Sequence, residues 1–328
     1  MKKTIGIILK LLLCVLIAAA AYFIIKPLTE VHKPGNPDVN NTNWMAGIPD
    51  DRSISDIWIP GTHDSGTQYS ALPYFSKCQA SSVRTQLEDG FRYLDIRLGI
   101  KDERLVFWHG FCLCRTGFLP WSSPLALSDV LAECYDFLAK NPSETIIFAV
   151  KVEHGEGGEA FQQLLHNEIN KDKTHWLLSD GRIPTLGECR GKLVLMRRYP
   201  NTLKTAESGI PLIWADQGGK YNELEAQTAV EPNGTFMLVV QDRYKYGTED
   251  KWNTFLEGLK VSSRQEQELR LHFLSTNGTP AYGHPYTYAR ELNAKLLKAS
   301  FDGCKPAWVI VDFSNEALAE HILRMNGQ

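Results

Sequence analysis

Residues 127–152, LSDVLAECYDFLAKNPSETIIFAVKV, contain a helix pattern followed directly by a strand pattern. Apolar residues recur first at the three- and four-residue spacing of a helix face. They are Leu127, Val130, Leu131, Cys134 and Leu138. Asn141 and Pro142 end that pattern. The run 145–152 is then apolar at nearly every position, which is typical of a strand in a parallel sheet that is covered on both faces.

Similar strand-like runs recur along the chain and alternate with helical patterns. The eight apolar runs are 54–60, 91–98, 105–108, 145–152, 192–196, 236–240, 271–274 and 308–311. Further helical stripes occupy 161–169 and 292–297. Eight strands with intervening helices predict an α/β fold of the TIM type, a (β/α)8 barrel.

Two regions indicate that this barrel is irregular. Only residues 99–103 separate the second and third runs, whereas a parallel crossover needs about a dozen residues. The stretch 200–234 shows no clean helical stripe. We therefore expect a barrel in which some of the helices are missing.

The N-terminal residues 1–26 predict a signal peptide or a signal anchor. Lys2 and Lys3 precede an apolar stretch that runs to Ile25 and is closed by Lys26. Residues 18–21 offer A-x-A-like cleavage positions, but the apolar run continues beyond them. Both alternatives remain open. Either predicts an exported protein, secreted or anchored to the outer face of the membrane by this segment.

The remaining chain divides by composition. Residues 27–43 are polar and rich in Pro and Asn, which predicts a linker, and residues 44–328 are expected to form the barrel. The formal net charge of -3 and the absence of a dense basic block argue against a nucleic-acid partner. Any contact with lipid must then be mainly apolar. We expect a monomer.

Cysteine usage fits export. Six of the seven cysteines follow the leader, an even number that is compatible with one or two disulfides in an oxidising compartment. No C-x-x-C pair occurs among them, so we predict no metal centre built on cysteine.

Charged and polar residues follow the apolar runs. They are His63 and Asp64, Asp95 and Arg97, His109, Lys151 and Glu153, Arg197 and Arg198, Asp242 and Arg243, residues 275–277, and Asp312. Each alone has an ordinary explanation, such as turn chemistry or a surface ion pair. The carboxyl ends of barrel strands, however, converge at one mouth. Their joint placement there predicts a site for an anionic, polyhydroxylated ligand.

The chemistry that unites these residue types is cleavage of a phosphodiester by an internal hydroxyl. The attacking hydroxyl must lose a proton, the leaving oxygen must gain one, and charge on phosphorus must be stabilised. Two histidines can perform both proton transfers because their pKa values lie near working pH. An arginine supplies planar donors and fixed charge suited to phosphate.

Several ordered motifs resemble the bacterial phosphatidylinositol-specific phospholipases C. They are IPGTHDSGT at 59–67, DIR at 95–97, WHG at 108–110 and NPSETII at 141–147. The later stretches VLMRRY at 194–199, VQDRYK at 240–245 and WVIVD at 308–312 agree in the same order. The resemblance extends from about residue 44 to the C-terminus, and it implies an X-type catalytic barrel over 44–328.

The resemblance implies a general acid and a general base. His63 matches the base that deprotonates the inositol 2-hydroxyl, and Asp312 matches the acid that orients it. His109 matches the general acid that protonates the diacylglycerol oxygen, with Asp64 and Asp95 as its supporting carboxylates. The implied products are diacylglycerol and inositol 1,2-cyclic phosphate, which the same pair hydrolyses slowly.

The resemblance also implies how the ligand is bound. Arg97 stands where calcium-dependent relatives carry an acidic metal ligand, so we expect no metal and no other cofactor. Lys151, Arg198 and Asp242 match groups that hydrogen-bond the inositol hydroxyls, and Tyr244 matches a ring stacked on the sugar. The expected partner is a membrane surface that contains phosphatidylinositol.

The implied membrane contact involves the rim. Residues 275–288 occupy the position of a membrane-inserting loop and carry Tyr282, Tyr286 and Tyr288. Tyr74 and Phe75 are candidates to complete an apolar rim, although ordinary packing explains them equally well.

Two other functions are compatible with parts of this pattern. A glycerophosphodiester phosphodiesterase would need a carboxylate metal site near His63, and Arg97 argues against one. A catalytically inactive inositol-lipid binding module would have no need of both histidines with acid partners. Free and glycosylated phosphatidylinositol both remain candidate substrates, because loops decide between them.

Overall fold

A curled sheet of mostly parallel strands forms the centre of the fold. The computed structural model describes residues 2–33, 36, 40–178, 181–205, 207–218, 228–263, 267–278 and 283–327. Its strands are β1 (Ile59–Thr62), β2 (Tyr93–Lys101), β3 (Arg104–His109), β4 (Cys112–Leu113), β5 (Ile146–His154), β6 (Trp176–Leu177), β7 (Leu193–Arg198), β8 (Ile210–Pro211), β9 (Ala229–Asn233), β10 (Phe236–Gln241), β11 (Glu268–Phe273) and β12 (Trp308–Val311). Its α-helices are α1 (Lys2–Leu28), α2 (Pro73–Ser76), α3 (Val83–Glu88), α4 (Leu127–Lys140), α5 (Glu159–Asn170), α6 (Leu186–Cys189), α7 (Thr248–Gly258), α8 (Pro285–Leu296) and α9 (Glu316–Leu323).

The strand order is that of an irregular TIM-type barrel. The strands lie in the order β6, β7, β5, β2, β1, β12, β11, β10 and β9. β8 pairs with the end of β7 and β6 with its start. These pairings are parallel, apart from β9 with β10. Helices follow most of the parallel strands, and the predicted fold class is confirmed.

The irregularity lies between β7 and β10. In the described part of the chain no backbone ladder joins β8 to β9, and no α-helix is described between residues 199 and 235. The Asn233 side chain bridges this seam, since it accepts a hydrogen bond from Ile213 N at 2.7 Å and donates one to Ile213 O at 3.0 Å. This seam coincides with the stretch 200–234, in which the sequence shows no helical stripe.

Alternation along the strands decides which side chains reach the mouth. In β5, Ile147 and Ala149 belong to the core inside the barrel, whereas Phe148 and Val150 pack outside with α4 and α5. Lys151, two residues after Ala149, also points inward. In the other parallel strands, alternate residues point into the barrel in the same way, and the last of them at the mouth are polar. They are His63, Asp95 and Arg97, Arg198, Asp242 and Asp312. Strand alternation therefore places these polar side chains at one mouth.

Three predicted runs differ from the observed strands. The run 54–60 begins with a 3-10 turn, Ile54–Asp56, and only its end belongs to β1. The run 105–108 belongs to β3, which is antiparallel to β2 and is therefore no barrel strand. β11 begins at Glu268, before the run 271–274. The sequence does not reveal this start because Glu268 and Arg270 are charged, although they are buried as an ion pair at 3.3 Å.

The segment after the N-terminal helix is attached to the barrel. Residues 2–28 form α1, and Pro27, Glu30 and Asn41 are hydrogen-bonded to residues of the barrel. Trp44 is buried and donates a hydrogen bond to Gly90 O at 3.0 Å, which fixes the start of the folded core. The domain boundaries at 26 and 43 themselves stay predictions.

All seven cysteines are free thiols in this structure. Disulfides were compatible with the even cysteine count, but none is formed. Cys134 and Cys189 are buried in separate hydrophobic clusters, where each packs as a small apolar side chain.

Candidate active site

The turn after β1 aims His63 into the mouth. Asp64 has φ of 46°, a left-handed conformation that is uncommon outside Gly and that Asp and Asn adopt more readily than most residues. Its carbonyl accepts a hydrogen bond from Thr67 Oγ1 at 2.7 Å. Ser65 Oγ accepts from the Asp95 amide at 2.9 Å and so fastens the turn to β2. The motif therefore holds a strained turn in place through its own hydroxyl groups.

His63 lies between an acid and a guanidinium. Its Nδ1 is 2.7 Å from Asp312 Oδ1, and its Nε2 is 2.8 Å from Arg97 Nη2. In the neutral ring these contacts are satisfied when Nδ1 donates to Asp312 and Nε2 accepts from Arg97. Burial alone would lower the pKa of His63, but the charges of Asp312 and Asp64 outweigh it and raise that pKa above its usual value. The Nε2 lone pair, which accepts from Arg97 here, is thus the basic site of the ring.

Arg97 is fixed by carboxylates on three sides. Its Nε donates to Asp95 Oδ2 at 2.9 Å, and its Nη1 lies 3.2 Å from Asp64 Oδ2 and 3.5 Å from Glu153 Oε1. Asp95 also accepts from Arg198 Nη1 at 3.0 Å. Burial would raise the pKa of Asp95, but Arg97 and Arg198 together hold it well below its usual range. The result is a rigid positive group beside the base.

His109 lies at the end of β3 and faces His63. Its Nδ1 donates to Ser76 O at 2.8 Å, which leaves Nε2 directed at the mouth. The two imidazole rings are 6.5 Å apart between centroids and nearly perpendicular, at 83°. Asp64 Oδ2 lies between them, 3.2 Å from His63 Nε2 and 3.7 Å from His109 Nε2. The two Nε2 atoms therefore lie on either side of one carboxylate oxygen at the mouth.

A cavity of about 780 Å³ opens above these groups. Arg198 forms part of its wall, with the guanidinium 4.1 Å from the centre of the Trp214 ring and 3.7 Å from Asp242 Oδ2. Lys151 and Glu153 are paired at 2.7 Å on the opposite wall. Charged donors and acceptors thus surround an opening that suits a ligand with many hydroxyl groups.

Tyr244 completes the wall at the far side. Its hydroxyl donates to Asp216 Oδ1 at 2.9 Å. Burial, followed by the neighbouring Asp216, raises the pKa of Tyr244 to about 12. The ring stays neutral at working pH and presents a face to the cavity that it lines.

The structure brings to this mouth all ten residues to which the resemblance assigns a role. It also brings Glu153 there, as its place after an apolar run predicts. Other neighbours were missed. Trp214 and Asp216 follow β8, which is too short to leave an apolar run. The Ser76 contact uses a backbone carbonyl, which no sequence pattern reveals.

A metal ion bound at this site would lie next to the guanidinium of Arg97. His63, Asp64 and Asp95 carry potential ligand atoms within 4.8 Å of one another, and Cys78 joins two further groups of this kind. The guanidinium of Arg97 already contacts the Asp64 and Asp95 carboxylates. A metal bound by the same oxygens would lie against a fixed positive charge, so the donor set fits a cation poorly.

Comparison with known proteins shows which family the chain resembles. The sequence profile described as "Phosphatidylinositol-specific phospholipase C, X domain" matches residues 52–199, from the turn before β1 to the residue after β7. The chain is similar to this family over that stretch. It is also similar to proteins named 1-phosphatidylinositol phosphodiesterase in Staphylococcus aureus and Listeria monocytogenes. The first is 27% identical over 296 residues, 83% of this chain and 88% of the relative. The second is 26% identical over 345 residues, 97% and 96% of the two chains.

Solved structures show the same similarity. The phosphatidylinositol-specific phospholipase C from Listeria monocytogenes is 26% identical, covers 87% of this chain and 98% of its own, and superposes with a TM-score of 0.65. The F249X mutant of the Staphylococcus aureus enzyme is also 26% identical, with coverage of 86% and 97% and a TM-score of 0.68. The resemblance stated from the motifs is therefore confirmed, and neither rival function is favoured.

Proposed function

We propose that this protein is a phosphatidylinositol-specific phospholipase C, a phosphatidylinositol diacylglycerol-lyase that works by general acid and base catalysis without a metal. The observation that carries the proposal is the pair of perpendicular histidine rings at 6.5 Å with a guanidinium at 2.8 Å from one of them. The similarity to proteins named 1-phosphatidylinositol phosphodiesterase supports the substrate class.

In the first step His63 Nε2 takes the proton of the inositol 2-hydroxyl. That oxygen attacks phosphorus, and the bond from phosphorus to the diacylglycerol oxygen breaks. His109 Nε2 gives its proton to the leaving oxygen, so that diacylglycerol leaves neutral. Asp312 stabilises the imidazolium that forms on His63, since it accepts the Nδ1 proton at 2.7 Å. The products are diacylglycerol and inositol 1,2-cyclic phosphate.

Arg97 stabilises the charge that develops on the phosphate. It is held by Asp95 and Asp64, so little reorganisation is needed when the charge appears. Asp64 Oδ2 lies 3.7 Å from His109 Nε2, the nitrogen that gives its proton to the leaving oxygen. Slow hydrolysis of the cyclic product follows with the histidine roles reversed.

The sugar is held by the charged walls of the cavity. Lys151, Arg198 and Asp242 offer donors and acceptors to vicinal hydroxyl groups, and Tyr244 offers a flat apolar face. Arg198 is stacked on Trp214 at 4.1 Å, which restricts its motion and makes it a preorganised donor. The cavity accommodates a free inositol headgroup or a glycosylated one.

Export follows from the N-terminal segment. α1 contains one stretch, Thr4–Leu28, that is long and apolar enough to cross a membrane. A cleaved signal gives a secreted enzyme, and a retained helix gives one anchored at the outer face.

The test uses the full chain with vesicles of phosphatidylinositol in excess chelator, followed by phosphorus NMR. The expected product signal is that of the cyclic phosphate. If no product forms in chelator and calcium restores it, the assignment of Arg97 to a metal-free reaction is wrong. Binding of vesicles without any turnover would instead support an inactive lipid-binding module.

A further inference from the structure

We propose that α1 is retained as a membrane anchor and that its C-terminal end is bound to the rim of the active site, so that the enzyme works on the bilayer it spans. Residues 27–30, the last two residues of α1 and the two residues after it, are named the latch. The inference rests on the proposed function in one respect, because it takes the substrate to be a membrane lipid.

A buried carboxylate forms the centre of the latch. Glu30 is only 3% exposed, and its Oε1 is hydrogen-bonded to His284 Nε2. His284 lies immediately before α8, and its other nitrogen donates to Tyr74 O at 2.6 Å. Lys26 on α1 lies 3.5 Å from the same carboxylate oxygen. A Glu at the end of an unattached tether would lie in solvent, so its burial indicates a specific contact.

A lysine of the barrel caps the end of α1. Lys77 Nζ donates to Pro27 O at 2.8 Å and to Glu30 O at 2.7 Å, and the residue is 7% exposed. The last carbonyl groups of a helix lack partners within the helix and carry partial negative charge. Lys77 supplies both the hydrogen bonds and the positive charge that this helix end needs.

Aromatic rings extend the contact into α1 itself. The Phe23 ring lies 4.6 Å from that of Tyr74 and 5.8 Å from that of Phe75, measured between centroids. Tyr74 also stacks on His284 at 4.3 Å. Phe23 follows residues 18–21, the candidate cleavage positions, without a break in the helix. The apolar part of α1 therefore continues without interruption into the latch.

The barrel residues that bind the latch lie next to residues of the catalytic mouth. Leu72, Phe75, Ser76 and Pro285 flank Tyr74, Lys77 and His284 in the sequence and line the catalytic cavity, and Ser76 O is the acceptor that orients His109. Large apolar side chains of the same mouth are exposed. They are Leu72, Phe75 and Phe111, with exposed fractions from 45% to 76%. Aromatic residues of this kind favour the interface between lipid headgroups and hydrocarbon.

The length of α1 fits the thickness of a lipid bilayer. The 25 residues of Thr4–Leu28 span about 37 Å at ~1.5 Å per residue, against a hydrocarbon core of about 30 Å. Lys2 and Lys3 precede the apolar stretch and favour a cytoplasmic N-terminus. The barrel then lies outside the cell, and the latch holds its mouth toward the membrane surface from which α1 emerges.

The test compares hydrolysis in the same membrane with hydrolysis in a separate one. The purified full chain is reconstituted in vesicles that contain phosphatidylinositol, and in lipid vesicles lacking it to which phosphatidylinositol vesicles are added. We expect hydrolysis to be at least tenfold faster when the enzyme and phosphatidylinositol are in the same vesicles than when they are in separate vesicles. Glu30→Lys places a third positive charge beside Lys26 and Lys77 and should cut this preference about tenfold. Its activity on a monomeric, water-soluble phosphatidylinositol should match that of the unaltered chain.

The controls separate the latch from the catalytic function. Glu257→Lys makes the same charge change at an exposed position of α7 and should leave both reactions unchanged. Lys77→Met is a second variant that removes the cap of α1, and it should reproduce the loss of preference. The proposal is wrong if the chain recovered from cells has lost the residues before position 22, or if both variants keep the full same-membrane preference. Lack of turnover by the unaltered chain on the soluble substrate would overturn the proposed function instead.

Discussion

Nδ1 of His63 lies 2.7 Å from Oδ1 of Asp312, at neighbouring ends of the parallel strands β1 and β12. Asp312 raises the pKa of His63, so Asp312→Asn should lower it. A general base acts in its neutral form, and the acid limb of the rate profile should move to lower pH. Loss of the oriented tautomer should reduce the plateau rate by about 100-fold or more. The measurement is kcat against pH on a soluble phosphatidylinositol.

The control for this profile is Asp250→Asn, which removes an exposed carboxylate at the start of α7. It should leave both the limb and the plateau unchanged. An acid limb that moves to higher pH in Asp312→Asn would contradict the assigned partnership.

Substrates with different leaving groups distinguish the two histidines. His109→Ala should lose about 10²- to 10⁴-fold in kcat on phosphatidylinositol, because the diacylglycerol oxygen must be protonated as it leaves. A nitrophenyl ester of inositol phosphate releases a stable anion and needs no such proton, so His109→Ala should recover most of its rate there. His63→Ala should be slow on both substrates. Near-normal turnover of the natural lipid by His109→Ala would disprove the acid assignment.

The three nitrogens of Arg97 have three separate contacts, which a lysine cannot reproduce. Nε contacts Asp95, Nη1 contacts Asp64 and Nη2 contacts His63. Arg97→Lys keeps the charge but loses the planar fork, and kcat/KM should fall by about 10²- to 10³-fold. Excess chelator should not change the rate of either form. The matched control is Arg324→Lys, at an exposed position of the C-terminal region, which should retain full activity.

The sequence predicts the site well because strand alternation and strand ends are local features. Once an apolar run is recognised, the next inward position is determined, as for Lys151 after Ala149. Contacts that depend on tertiary structure are not accessible in this way. The pairing of Glu30 with His284 joins residues 254 positions apart, and nothing in the polar segment around Glu30 indicates burial. The stacking of Arg198 on Trp214 depends on an irregular segment without periodicity.

The motif NPSETII contributes to the family resemblance through a residue that stabilises the fold and takes no part in the active site. Glu144 precedes β5, at the end of the barrel away from the mouth, where positions serve the fold. Arg92 and Glu144 are both fully buried and are paired at 2.9 Å. Glu144 also accepts from Met45 N at 3.0 Å, and Arg92 donates to the carbonyls of Asn41 and Thr42. This ion pair thus ties the N-terminal segment to two barrel strands.

Removal of one member leaves the other charge buried and unpaired. Glu144→Ala should therefore lower the free energy of unfolding by about 3–5 kcal/mol, and the Tm by roughly 10 °C. Folded enzyme should keep its kcat, since the pair touches no group of the mouth. Thermal unfolding by circular dichroism, with kcat measured well below the Tm, checks both parts. Glu257→Ala, an exposed change, should stay within about 0.5 kcal/mol of the unaltered chain. Loss of kcat without loss of stability in Glu144→Ala would instead assign this residue a catalytic part.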